Sequence, residues 1–430
     1  MNYSNTAHRY EEAKELYLRS MKRIFFLGGL SFFGIVAVVF LTVGYSSTLS
    51  FDDARKLAGS VFFVDSITSE GLKAKYKEAS MGNGKIRVLI VPGHDNDAWG
   101  TEFRGVREAD ITALVGEELS RLLSADRHYE PILVRTRDGY AKEFLDYFAS
   151  EQVAVRAFVT NRRQIMKDLM KGGMVHKTEG GVVHNVALSD VATKLYSINK
   201  WANENKVDIV LHLHFNDHPG RAYHKSGRYE GFSMYVPDTQ FSNAKASKVI
   251  GEALLDQFSK FHTVSNLPVE NGGVVEDQEL IAIGAFNTLD PASVLIEYGY
   301  IYEQRFIDKE IRTLFLKELA FQTHQGLNRF FGKGADIFDP FQTTFLPHQW
   351  RDPLTEGIKN NPSVLSLQAA LLIEGFYPPG NDLRHCPITG SFGPCTTRAV
   401  KAFQETNGIA PATGVAGPIT LAKLNEKYSR

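Results

Sequence analysis

The chain has 430 residues, too many for one compact core, so two or three domains are expected. Its composition, 43% hydrophobic and 23% charged, is that of a folded protein, and a formal net charge of −1 argues against nucleic acid as a partner. Two cysteines, Cys386 and Cys395, are too few for a disulfide scaffold and lack a CxxC spacing.

No charge interrupts Ile24 to Phe51. About 20 such residues span a bilayer as a helix, whereas a secretory apolar core is usually about 7–15. The apolar character runs all round, which argues against a core helix. The stretch predicts a transmembrane anchor over 24–45, with a cleaved signal peptide as the alternative. Lys22 and Arg23 abut one side, and Arg55 is the first cation on the other. The positive-inside rule leaves 1–23 as a cytoplasmic tail. It sends the rest to the extracytoplasmic (periplasmic or extracellular) side of the cell membrane, as a single-pass protein. Residues 46–84 read as a stalk, or in their later part as an early helix.

From Lys85 strands and helices alternate. IRVLIVP is a β-branched run of buried-strand type, and READITALVGEELSRLL has apolar residues at helical spacing. EPILVRTR predicts a second strand, DVATKLYSINKWANENK a helix and VDIVLHLHFN a third strand. GFSMYVP predicts a fourth, KASKVIGEALLDQFSKF a helix, ASVLIEYGY a fifth strand and IRTLFLKELAFQTHQGLNRFF a closing helix. This alternation predicts an α/β domain over 85–332, its sheet mixed or mostly parallel and flanked by helices. Two glycine-rich excursions, 167–190 and 264–289, break the pattern. Residues 333–362 read as a linker and 363–430 as a separate small block; no internal repeat is evident.

Four residues sit at strand or helix ends on what would be one sheet edge. His94 follows the first strand, Glu108 opens the first helix, His214 ends the third strand and Glu297 lies near the end of the fifth. In a parallel α/β sheet the strand C-ends share the ligand-binding edge. Two imidazoles and a carboxylate there would hold Zn2+ and leave a fourth position for water. Glu297 interrupts an apolar run, where a buried charge is costly without a purpose such as proton transfer. Each residue alone has a plainer explanation: a hydrogen-bonded histidine, a helix-dipole glutamate, half of a buried ion pair.

In that order the residues resemble the zinc-dependent N-acetylmuramoyl-L-alanine amidases that carry a PGH motif, the amidase 3 family. The matching stretches are VPGH (91–94), GVRE (105–108), VRTRD (134–138), LHLHFN (211–216) and VLIEYGY (294–300). The resemblance implies metal ligands His94, Glu108 and His214 and a catalytic acid/base Glu297. It also implies hydrolysis of the amide between the muramic acid lactyl group and L-alanine of peptidoglycan. Arg137 and Asn216 are expected to hold the site or the substrate, and His218 is a weaker candidate for substrate contact. The chain departs from the pattern at Asp95-Asn96-Asp97, at His212 and at Tyr300. Lying two residues from His214, His212 is expected to be a packed histidine. Some relatives cover the zinc with a helix until a protein activator removes it. Residues 264–289, with Glu276 and Glu279, are the candidate for such a plug, although a surface excursion is the favoured reading.

The last block holds SVLSLQAALLIEGF, GSFGPCTTRAVKAFQ and GVAGPITLAKL, three short helices joined by Gly-Pro turns. It resembles the three-helix peptidoglycan-binding domain, which implies a small all-α module and peptidoglycan as partner. Outside the cytoplasm a Cys386–Cys395 disulfide would staple so small a core; two free thiols are the alternative. The expected whole is a membrane-tethered peptidoglycan hydrolase. Its competitors are a zinc peptidase acting within the stem peptide and a catalytically silent peptidoglycan-binding scaffold.

Overall fold

The run Ile86–Pro92 forms β1, and every residue of it except Arg87 is buried. Val88 and Ile90 enter one apolar layer while Leu89 and Val91 enter another, as the two-residue period of a strand requires. Each such side chain contributes about 1.5–3 kcal/mol when fully buried. A sheet apolar on both faces needs helices on both, and that is the arrangement seen in the computed structural model. It describes residues 65–178, 187–218, 220–333 and 342–429. The expected tail, anchor and first part of the stalk lie outside the described residues. No helix among the described residues is long and apolar enough to cross a membrane.

In chain order the elements are α1 (Ser69–Ser80), β1, the hairpin β2 (Glu102–Phe103) and β3 (Val106–Arg107), and α2 (Glu108–Ala125). Then come β4 (Tyr129–Leu133), β5 (Arg135–Thr136), β6 (Gly139–Tyr140), α3 (Lys142–Ser150), α4 (Gln152–Lys171) and α5 (Ser189–Glu204). β7 (Ile209–Asn216), β8 (Ser233–Pro237), α6 (Ala244–Phe258), β9 (Val274–Asp277), β10 (Ala292–Tyr300) and α7 (Lys309–Phe330) complete the α/β part. The main sheet has six strands in the order β4-β1-β7-β10-β8-β9. All neighbours are parallel except β8 and β10, so the sheet is mixed. α2, α6 and α7 share one apolar cluster with β1; α3 and α5 share the other.

Three segments differ from the expectation. The end of the supposed stalk is α1, which buries Leu72, Tyr76 and Ala79. Residues 142–171 form two helices that bury only Phe144, Val155 and Met166, too thin a stripe to read as a period. Residues 264–289 add β9, a sheet edge rather than a plug: Glu276 pairs with Lys248 at 2.9 Å and Glu279 with Lys177 at 3.9 Å.

The small block is three helices, α8 (Pro362–Ile373), α9 (Pro394–Thr406) and α10 (Pro418–Tyr428). Each opens on a proline, whose missing N–H costs nothing in the first turn. An internal repeat does exist here: TGSFGPCT (389–396) and TGVAGPIT (413–420). Its reason is a buried glutamine. Gln368 accepts from Gly390 N and donates to Thr396, and Gln404 accepts from Gly414 N and donates to Thr420. Cys386 and Cys395 are joined by a disulfide. The described part of the linker is packed: Phe345, Trp350 and Leu354 are buried in the cluster that holds α7 and α8.

Candidate metal centre

Proline and glycine end β1, and the next residue, His94, takes a left-handed backbone with φ 63°. That conformation costs a non-glycine residue about 1–3 kcal/mol and persists only where surrounding contacts enforce it. Here the enforcement is visible. Arg135, almost wholly buried, donates to Pro92 O (3.1 Å), Gly93 O (2.7 Å), Ala109 O (2.9 Å) and Thr112 Oγ1 (3.0 Å). This guanidinium ties the end of β1 to the start of α2. Arg137, the expected holder, is exposed. The sequence signal for Arg135 was an arginine inside the strand VRTR, where only paired charge is tolerated.

His94, Glu108 and His214 each offer one donor atom, and these atoms lie within 4.8 Å of one another. His94 Nε2 is 3.2 Å from Glu108 Oε2, and His214 Nδ1 is 3.0 Å from Glu108 Oε1. The backbone N–H groups of Phe215 and Thr101 also donate to that carboxylate. Burial pushes the Glu108 carboxyl up, but the two imidazoles and the Phe215 N–H outweigh it and hold it down at about 2. Burial lowers His94. Close packing shapes the cradle: a Cβ on Gly93 would overlap the His214 ring, and one on Gly100 would overlap Glu108 and His94. Among the described residues this is the one such cluster, and two imidazoles with an ionised carboxylate suit a divalent cation of intermediate softness.

Glu297 stands opposite His214 in the β7–β10 register, so all four expected residues meet at the C-terminal edge. Its Oε2 is buried with no hydrogen-bond partner. Burial pushes this carboxyl well above the ordinary range, and the charges of Glu108 and Glu270 add to the rise. His212 is buried with neither ring nitrogen partnered, and burial takes it down to about 3, so it is the packed neutral histidine expected. Asn216 acts through a residue that sequence reasoning missed: its Nδ2 donates to Glu270 at 2.9 Å. Glu270, fully buried, also accepts from Tyr235 (2.6 Å), Ser265 (2.5 Å) and Tyr300 (3.0 Å). Tyr300 thus has a partner for its hydroxyl. His218 stacks on Tyr229, ring centres 4.7 Å apart.

Among solved structures the chain is similar to the N-acetylmuramoyl-L-alanine amidase from Clostridium difficile 630. Identity is 16%, covering 58% of this chain and 97% of that one, with a TM-score of 0.36. It is similar also to Ami1 from Mycobacterium smegmatis (16%, 58% and 99%, TM-score 0.37). A third is the catalytic domain of CwlV from Bacillus (Paenibacillus) polymyxa var. colistinus (14%, 58% and 100%, TM-score 0.36). No curated protein matches the chain. Residues 360–424 match the model of a peptidoglycan binding domain. Residues 88–327, more than half of the chain and the whole span of the site just described, match the model described as N-acetylmuramoyl-L-alanine amidase, and the chain belongs to that family.

Proposed function

We propose that this peptidoglycan amidase works through a zinc ion held by His94, Glu108 and His214, with Glu297 as the proton carrier. The amidase activity and the peptidoglycan substrate follow from the family and from the binding domain beside it. The observation that carries the metal reading is the convergence of three donor atoms, from distant segments, within 4.8 Å of one another. A zinc ion supplies Lewis acidity to the lactyl carbonyl and brings the pKa of an attacking water toward ~7. Glu108 stays ionised between its two imidazoles and orients both. Glu297, with an unpartnered oxygen at the same edge, takes the proton from the water and returns it to the departing L-alanine amine.

For the whole chain we propose a cytoplasmic tail (1–23), an anchor (24–45), a stalk that ends where α1 begins (46–68), the catalytic domain with α1 in its core (69–332), a connection (333–362) and the wall-binding block (363–430). The catalytic part lies on the extracytoplasmic side. The disulfide supports an oxidising compartment.

The test is metal analysis together with muropeptide digestion, comparing wild type with Glu297→Gln. Both forms should carry about one zinc per chain, and only the wild type should expose a new amine on L-alanine at an appreciable rate. The variant should be about 10²–10⁴-fold slower. A new amine on another stem residue would indicate a peptidase. Bound zinc without turnover in the wild type would indicate a scaffold.

A further inference from the structure

Two segments build one wall beside the candidate centre. Residues 99–107 run into Glu108, and residues 217–218 and 220–229 follow β7, which carries His214 and Asn216. They are fastened to each other. Thr101 Oγ1 donates to Asp217 at 2.5 Å, Arg221 Nη2 to the Glu102 carbonyl at 3.2 Å and the Tyr223 hydroxyl to the Glu102 carboxylate at 3.0 Å. The Arg221 guanidinium sits over Phe103 and Tyr302, 5.1 and 5.4 Å from the ring centres, and also grips Asp217. Gly227 approaches Tyr302 so closely that a Cβ there would overlap the ring. The wall is therefore a packed structure, not a loose excursion.

Its carboxylates are committed inward. Asp217 is held by Arg221 and Thr101, and Glu102 by Tyr223 and, at 3.7 Å, by Arg107. Glu230, the next residue along, faces Glu303 and Arg305 instead. Three cations remain at the surface without a carboxylate partner among the described residues: Arg104, Lys225 and Arg228. Arg228 lies over Tyr229, 4.7 Å from its centre, and donates to its hydroxyl at 2.6 Å. Tyr229 stacks on His218, two residues beyond Asn216. A chain with net charge −1 thus gathers unpaired positive charge beside the centre that holds its reacting groups.

We infer that this wall is the subsite for the carboxylates of the peptidoglycan stem peptide, with Lys225 and Arg228 as the contacting cations. The inference rests on the amidase reading. The stem leaves the scissile amide at L-alanine, and its next residues carry free carboxylates in some walls and carboxamides in others. Fixed cations discriminate between these by charge, and a guanidinium can take a carboxylate on two donors.

The experiment uses the full chain with soluble muropeptides whose stem carboxylates are free or amidated. Wild type should show a KM several-fold lower for the free form. The double variant Lys225→Glu/Arg228→Glu should lose that preference and raise KM on the free form about 10-fold, since two exposed attractions are lost and charge reversal adds repulsion. The effect should fall on KM rather than kcat, with bound metal and Tm retained. Half-molar salt should erode the wild-type preference. Equal KM for both substrates in wild type, or an unaltered preference in the double variant, would overturn the subsite while leaving the amidase intact. Failure of wild type to expose the L-alanine amine on either substrate would remove the amidase reading, and the subsite with it.

Discussion

Glu270 is a fully buried carboxylate on which four side-chain donors converge, and among the described residues no lysine, arginine or histidine pairs with it. Its oxygens fix Asn216, just past His214, and Tyr300, just past Glu297. Each donor left unsatisfied in such a place costs about 1–3 kcal/mol. Glu270→Ala should therefore lower the unfolding free energy by about 3–5 kcal/mol in urea denaturation, the cost of the stranded donors less the relief of a buried charge. An unchanged midpoint would show that the four donors find other partners. Gly93→Ala is the sharper test of the metal cradle. The added methyl would overlap the His214 ring, so metal content should fall well below one per chain while circular dichroism shows the fold retained. These residues were unequally legible. Gly93 lies in the run VPGH, where a histidine after a strand-ending glycine invites a ligand reading. Glu270 stands in a glycine-rich excursion with no period and no motif, and its partners come from three separate strands and a loop.

At the level of elements, legibility followed burial. β1, β7 and β10 are buried on both faces, so they appear in sequence as largely apolar runs in which the few polar residues stand out. β9 is a four-residue edge strand with only Asp277 buried, and α3 and α4 cover little apolar surface, so neither leaves a pattern. The register that sets Glu297 opposite His214 is a long-range pairing that no local pattern encodes. In the small block the glutamine contacts impose the repeat, which becomes obvious only when the two Gly-Pro turns are seen to do the same work. The disulfide closes a short loop beside the first of these turns, with a sequence separation of 9. Short loops of this kind contribute about 2–3 kcal/mol by the chain-entropy estimate. Thiol titration should find no free cysteine until reductant is added and two afterwards. Reduction should then lower the stability of the helical block by that amount. Two thiols in the unreduced protein would sink this.

The whole molecule joins its catalytic and wall-binding parts around a cavity of about 130 Å³, lined on one side by His262, Glu303 and Arg305 and on the other by Leu383, Pro387 and Ile388. His262 is buried there. Burial pushes its pKa well below the ordinary value, and neighbouring Arg305 adds to the fall. The Arg305 guanidinium donates to Nδ1 at 3.3 Å, and Nε2 has no partner. The folded protein therefore keeps this ring neutral, whereas the unfolded chain protonates it near its ordinary pKa of ~6.5. The unfolded state binds more protons below that point, so stability rises with pH. The contribution of His262 is complete above about pH 7 and is lost as pH falls through ~6.5 toward the folded value. Other buried groups also slope the curve: Glu318 and Glu297, both raised by burial, act in the opposite sense at acid pH. A difference measurement cancels them. The unfolding free energy of wild type minus that of His262→Gln should be flat above pH 7. It should fall by about 1.4 kcal/mol per pH unit, the value for one linked proton, between about pH 6 and 5. Chemical denaturation followed by tryptophan fluorescence reads this directly, since Trp350 is buried in the segment that joins the two parts. A difference curve that stays level down to pH 5 would mean that His262 meets water in the folded state and that the two parts separate there without a proton cost.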